Sequence, residues 1–174
     1  AYGSGAGAIA LGDIDNDGDI DLITAGTGQY TRIRLNDGSG GFSADIANSN
    51  YGSGAQSIAL GDIDNDGDLD LLTTAANQHL QIRLNDGSGN FGADIAGSNY
   101  GFGAETIALG DIDSDGDIDL MSSGVSLQTE IRLNDGSGGF GSDMAVGSLG
   151  GGAGALAFGD IDSDGDLDLL TGGG

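Results

Sequence analysis

Between residues 56 and 63 apolar and small side chains alternate, with Ile58 and Leu60 on one side and Ala59 and Gly61 on the other. That period of two predicts a short strand, Gln56 to Ile63. Leu69 to Ala75 reads as a second strand. Leu80 to Asn85 reads as a third, with Ile82 and Leu84 opposed to Arg83 and Asn85. The Asp86-Gly87-Ser88-Gly89 segment is a tight turn, and Phe91 to Ala96 follows as a fourth strand. No stretch carries a helical period. A nine-residue acidic loop joins the first two strands, which makes them antiparallel neighbours and leaves no need for a crossover helix.

The same pattern is written again at a fixed spacing. Asp13 to Asp21 recurs at Asp62 to Asp70, Asp111 to Asp119 and Asp160 to Asp168, each start 49 residues after the last. A period near fifty with four strands per unit points to blades of a β-propeller. In each loop carboxylates at positions one, three, five and nine converge, and glycine at position six turns the backbone so that the position-seven carbonyl joins them. Hard oxygen donors at this density suit calcium rather than zinc or copper.

Charge sharpens that reading. Four basic residues face 28 acids, a net charge of −24, and twenty of the acids lie in the four loops. Five carboxylates crowded into nine residues repel one another, so the metal-free chain is expected to be weakly folded or unfolded. Nucleic acid and anionic membranes are excluded as partners, because the cations that would neutralise phosphate are absent. No apolar run reaches the ~20 residues of a membrane helix. The chain has no cysteine, so metal would supply the cross-linking that disulfides give other small extracellular domains. Calcium is millimolar outside cells, which predicts an extracellular or cell-surface setting.

The Tyr51-to-Ala55 entry, the Ser57-to-Gly61 strand, the acidic loop and the Leu84-to-Phe91 exit together resemble the FG-GAP or VCBS-type repeats of integrin α-subunit propellers, some lectin propellers and many bacterial surface proteins. The resemblance implies an all-β fold of four-stranded antiparallel blades, about 3.5 of them. Repeats would occupy residues 1–49, 50–98 and 99–147, with half a repeat at 148–174. It also implies about four calcium ions per chain. Side-chain ligands would be Asp13, Asp15, Asp17 and Asp21; Asp62, Asp64, Asp66 and Asp70; Asp111, Asp113, Asp115 and Asp119; Asp160, Asp162, Asp164 and Asp168. Asp19, Asp68, Asp117 and Asp166 would lend backbone carbonyls while their side chains face water. Three and a half blades do not close a propeller, so completion is expected from a longer array or a second copy of the chain.

Other residues bear on the choice of function. Tyr30, His79 and Gln128 occupy equivalent positions, as do Arg32, Gln81 and Glu130, and this connection into the third strand varies while the rest is nearly copied. Arg34, Arg83 and Arg132 are expected to pair with carboxylates or strand-end carbonyls, and Tyr2, Tyr51 and Tyr100 to pack between blades. His79 is the sole histidine, so no nucleophile–base set exists and no enzyme is expected. Two classes remain. One is a calcium-rigidified structural or adhesive repeat that self-assembles into a fibre, surface layer or stalk; the other is a propeller that binds glycan or a cell-surface protein.

Overall fold

A computed structural model describes residues 5–46, 51, 53–96, 100–124, 127–142, 144 and 152–172. Among them every regular element is a β-strand. The first sheet holds β1 (Ala8–Gly12), β2 (Asp21–Ala25) and β3 (Arg32–Arg34); the second β4 (Ala55–Gly61), β5 (Asp70–Ala75) and β6 (Gln81–Arg83). The third holds β7 (Thr106–Gly110), β8 (Asp119–Gly124) and β9 (Leu127–Arg132), and the fourth is the hairpin of β10 (Ala155–Gly159) and β11 (Asp168–Gly172). All pairings are antiparallel. Each acidic loop is closed by the same pair, Gly12 with Asp21, Gly61 with Asp70, Gly110 with Asp119 and Gly159 with Asp168.

The expected fourth strand is reduced to bridges. Asn85 bridges Phe91, and the backbone N–H of Ile95 donates to the Ile82 carbonyl at 2.9 Å. Side chains take the backbone groups a longer ladder would need: the Asp94 carboxylate accepts from the Ile82 N–H at 3.0 Å, and Arg83 Nη1 donates to the Gly92 carbonyl at 2.8 Å. Such local side-chain bonds compete with strand pairing. Ile33 with Ile46, Asn36 with Phe42, Ile131 with Met144 and Asn134 with Phe140 repeat the arrangement.

Successive sheets stack face to face, and the apolar alternation decides which residues meet. Ile14, Ile23 and Ile33 of the first unit pack on Tyr51, Ile58, Leu60, Leu69, Leu71 and Phe91 of the second. Ile63, Leu72, Leu80 and Ile82 pack in turn on Tyr100, Ile107, Leu109, Ile118, Leu120 and Phe140 of the third. Gly61 is small for a steric reason: a Cβ there would lie 2.9 Å from Leu109 Cδ1 of the next sheet, and Gly12 and Gly110 stand in the same relation to Leu69 and Leu167. Contacts run in series from first sheet to fourth.

The tyrosines pack between blades as expected. Tyr51 meets Phe91 edge-on at 5.8 Å, with Arg83 over its ring at 5.7 Å. Tyr100 meets Phe140 at 6.3 Å, with Arg132 at 4.9 Å, and its hydroxyl donates to the Phe140 carbonyl. The repeated arginines are structural too: Arg132 donates to the Gly141 carbonyl, and Arg34 pairs with Asp45. Tyr2, the side chain of Gln128 and residues 148–151 of the last hairpin lie outside the described residues.

Candidate metal centres

Each acidic loop leaves one strand of a hairpin and returns on the next, which fixes its ends at the closing glycine–aspartate pair. Position four has positive φ in all four loops, at Asn16, Asn65, Ser114 and Ser163, and position six does so at a glycine, with φ +96° at Gly67. Asparagine and glycine accept this left-handed conformation more readily than other residues. Asp13 holds the turn: its Oδ1 accepts from the Asp17 N–H at 3.1 Å and its Oδ2 from the Gly18 N–H at 3.0 Å. Asp62, Asp111 and Asp160 accept equivalent bonds.

These turns gather carboxylate oxygens. Asp13, Asp15 and Asp17 each bring an oxygen within 4.8 Å of the others, as do Asp62, Asp64 and Asp66, Asp111, Asp113 and Asp115, and Asp160, Asp162 and Asp168. Asp15 Oδ1 and Asp64 Oδ1 are shielded from solvent and have no hydrogen-bond partner. Oxygen atoms hidden from water without a donor are costly unless a cation meets them. The donor set therefore fits a hard divalent cation, and calcium accommodates the irregular geometry such a loop offers.

Position nine is wired into the blade. Asp70 is fully buried. Its Oδ2 accepts from the Ile63 N–H and its Oδ1 from the Asn85 N–H, both at 2.8 Å. Asp21 and Asp119 accept the same two bonds, and Asp168 accepts from Ile161. Each of these oxygens keeps a second lone pair. Asp164 and Asp166 stay on the exposed loop outside the fourth triplet.

Position seven departs from expectation. Its side chain does not simply face water, because Asp68 Oδ1 accepts from Asn16 Nδ2 of the preceding loop at 2.6 Å, and Asp117 Oδ1 from Asn65 Nδ2 at 2.6 Å. The carboxylate also packs on its own blade's turn: a Cβ at Gly38, Gly87 or Gly136 would come within 2.7 Å of Asp19, Asp68 or Asp117. Asn85 and Asn134 were missed as site residues. Asn85 Nδ2 donates to the Ile14 carbonyl at 2.8 Å and the Leu69 carbonyl at 3.1 Å, and Asn134 Nδ2 to the Ile63 and Ile118 carbonyls. Their signal was the Leu-Asn-Asp-Gly repeated in every full unit.

Four carboxylates of the metal-free loops are disfavoured as anions. Burial first, then neighbouring carboxylates, pushes Asp15, Asp64 and Asp113 above the usual range. Burial raises Asp70 to about 6, against the lowering effect of its bonds from Asn85 and Ile63. Between the unfolded value near 4 and about 6, the folded state thus binds more protons than the unfolded one, and stability increases as pH falls. Turn donors hold Asp37, Asp86 and Asp135 below the usual range, so these three act only at more acidic pH. In chelator, lowering the pH from 7 to 5 is expected to restore part of the far-UV β signal, whereas with calcium the same change weakens the fold as protons compete for the ligands. A flat pH response in chelator would contradict this.

The shared loops raise the question of kinship. The FG-GAP-like repeat family matches residues 13–73, from the first acidic loop into β5. This segment is similar to an FG-GAP-like repeat. No curated protein sequence matches the chain. Among solved structures the chain is similar to an Agrocybe aegerita lectin described as specifically recognising non-reducing terminal N-acetylglucosamine, at 23% identity and TM-score 0.58, covering 78% of this chain and 37% of the lectin. It is also similar to the V. cholerae biofilm matrix protein Bap1, at 22% identity and TM-score 0.46, covering 94% of this chain and 27% of that one. The chain thus spans well under half the length of either. At such identity the first likeness extends to the all-β fold alone. Among the described residues no helix is long and apolar enough to cross a membrane.

At the opposite end of the sheets lies the variable connection. Gly28, Gln29, Tyr30, Ser53, Gly54 and Gln78 line an open cleft of about 430 Å³ between the first and second units. One unit later the equivalent place is occupied by His79 packed at a tilt of 60° against Phe102, ring centroids 4.9 Å apart.

Proposed function

We propose that this chain is a calcium-stabilised extracellular structural or adhesive repeat protein, whose blades stack into a longer array such as a fibre, surface layer or stalk. The observation that carries the reading is the carboxylate triplet in each loop, with Asp15 and Asp64 each keeping a solvent-shielded oxygen without a protein donor. Calcium would supply the positive charge that lets these carboxylates sit together. Positions one, three, five and nine are its side-chain ligands in this reading, and the carbonyls of Asp19, Asp68, Asp117 and Asp166 complete the shell. The chain would act by holding shape and by adhering, not by catalysis; its one histidine packs against Phe102.

The end sheets support stacking. Ile9, Leu11 and Ile20 on the first sheet are exposed, although their equivalents Ile58, Leu60 and Leu69 pack between blades. Ile161 and Leu170 on the fourth sheet are exposed, although Ile63 and Leu72 are buried. Outward faces of this kind fit another blade of the same kind, from a second copy or from further repeats. Size-exclusion chromatography with light scattering is expected to show association in millimolar calcium that chelator reverses. A monomer at high concentration in calcium would remove assembly from the proposal.

The cleft favours a second reading, glycan binding. Tyr30 presents an exposed ring beside the side chains of Gln29, Gln78 and Ser53, an aromatic face with polar groups around it. The lectin's recognition of N-acetylglucosamine supports testing sugars first. Binding on a glycan array in calcium, lost in Tyr30→Ala, would move the function to recognition; an empty array leaves the structural reading.

A further inference from the structure

Four loops of nearly identical sequence do not have identical surroundings, because the first two are roofed by the turn of the blade that follows. A Cβ at Gly89, in the turn of the second unit, would stand 3.7 Å from Asp15 Cβ and 3.9 Å from the Ile14 carbonyl of the first loop. Gly138 of the third unit stands over Asp64 of the second loop at 3.6 Å. The carbonyls of Ile14 and Ile63, at position two of these loops, are tied down by Asn85 and Asn134 of the next unit. Asn16 and Asn65 reach forward to Asp68 and Asp117.

Among the described residues loop three receives only the Asn65 amide on Asp117, and neither loop three nor loop four has a roofing turn or sends an amide forward. Position four changes to Ser114 and Ser163, whose side chains are too short to carry an amide across. Asp113 and Asp162 are exposed, whereas Asp15 and Asp64 are half-buried. At the other end, Gly40 has nothing near it, and Asn36 Nδ2 reaches only the Ile20 carbonyl of its own unit.

We infer that calcium binding and blade stacking are linked: loops one and two are inter-blade sites finished by the following blade's turn and by a forward amide, while loops three and four, with serine at position four, lack that amide and bind calcium more weakly. The inference rests on the calcium reading and adds its regulation. Asn16, Asn65, Asn85 and Asn134 are then positioning residues. Asn85 and Asn134 meet a ligand-position carboxylate, Asp70 or Asp119, through their backbone N–H alone; the side-chain amides of all four fix a neighbouring loop's backbone or its position-seven residue. A site held in shape before the ion arrives loses less freedom on binding. Whatever favours the roofed state must also favour calcium, by the same factor.

Titration calorimetry of the full chain with calcium chloride tests this, with circular dichroism in calcium confirming that each variant is folded. The wild type is expected to show two classes of sites, the tighter at least about ten-fold stronger than the weaker. Asn16→Gly keeps the left-handed backbone and removes the amide; Asp68→Ala removes the acceptor. Each should weaken the tighter class about five-fold, and the double variant should be no weaker than the poorer single one, because both break the same bridge. Ser114→Asn offers loop three an amide toward Asp166 and should strengthen a weak site. Four equivalent sites in the wild type, additive losses in the double variant, or an unchanged Ser114→Asn titration would each overturn the linkage while leaving calcium binding intact. No calcium heat at all would overturn the calcium reading itself, and the linkage with it.

Discussion

Excess chelator is expected to erase most of the β-sheet circular dichroism at pH 7, and millimolar calcium to restore it. Any ligand that binds only the folded state stabilises it by ~2.7 kcal/mol when present at a hundred times its dissociation constant. Four such sites together approach the whole stability of a typical domain, about 5–15 kcal/mol. What remains without metal is thin. Among the described residues two buried apolar clusters hold the first three units together, with no disulfide, while Asp15, Asp64, Asp70 and Asp113 are all disfavoured as anions where they sit. Thermal melts in chelator and in calcium measure the difference; superimposable curves would show that the loops do not carry the fold.

Ile63→Ala should cost about 2–5 kcal/mol and Ile161→Ala close to nothing, although the two isoleucines hold the same place in their repeats. Ile63 is 0% exposed inside the cluster shared by the second and third sheets, whereas Ile161 is 62% exposed. Deleting buried methyl groups loses transfer free energy and leaves a cavity, and an exposed side chain loses neither. Denaturant unfolding in saturating calcium compares the two at constant metal. Equal costs would mean that the outward face of the fourth sheet is already covered in solution, which light scattering would then report as association.

Much of this architecture could be read in advance because the units repeat. The alternation put Ile58 and Leu60 on one face and Ala59 and Gly61 on the other, and the structure turns the first pair toward the first sheet and the second pair toward the third. The aspartate spacing gathered three carboxylates in each loop. The fourth strand was overestimated, since a strand pattern in sequence does not reveal that Asp94 and Arg83 capture the backbone groups of its ladder. Asp68 was misread for a related reason. Its partner Asn16 lies 52 residues away, and only stacking brings them together. Asn85 illustrates the limit well: its repetition marked it as fixed, but nothing local could say that its amide spans two blades.

Metal content is the most direct test of the account. After dialysis of the purified chain against millimolar calcium and a brief wash, atomic emission should count about four calcium ions per chain, one for each Asp-rich loop. The Asp15→Ala and Asp64→Ala variants should each lose one, and Asp68→Ala, whose carboxylate bonds the neighbouring loop instead of the ion, should lose none. Calcium at trace level in the wild type, or a full complement retained by Asp64→Ala, would contradict the assignment of these loops as metal sites.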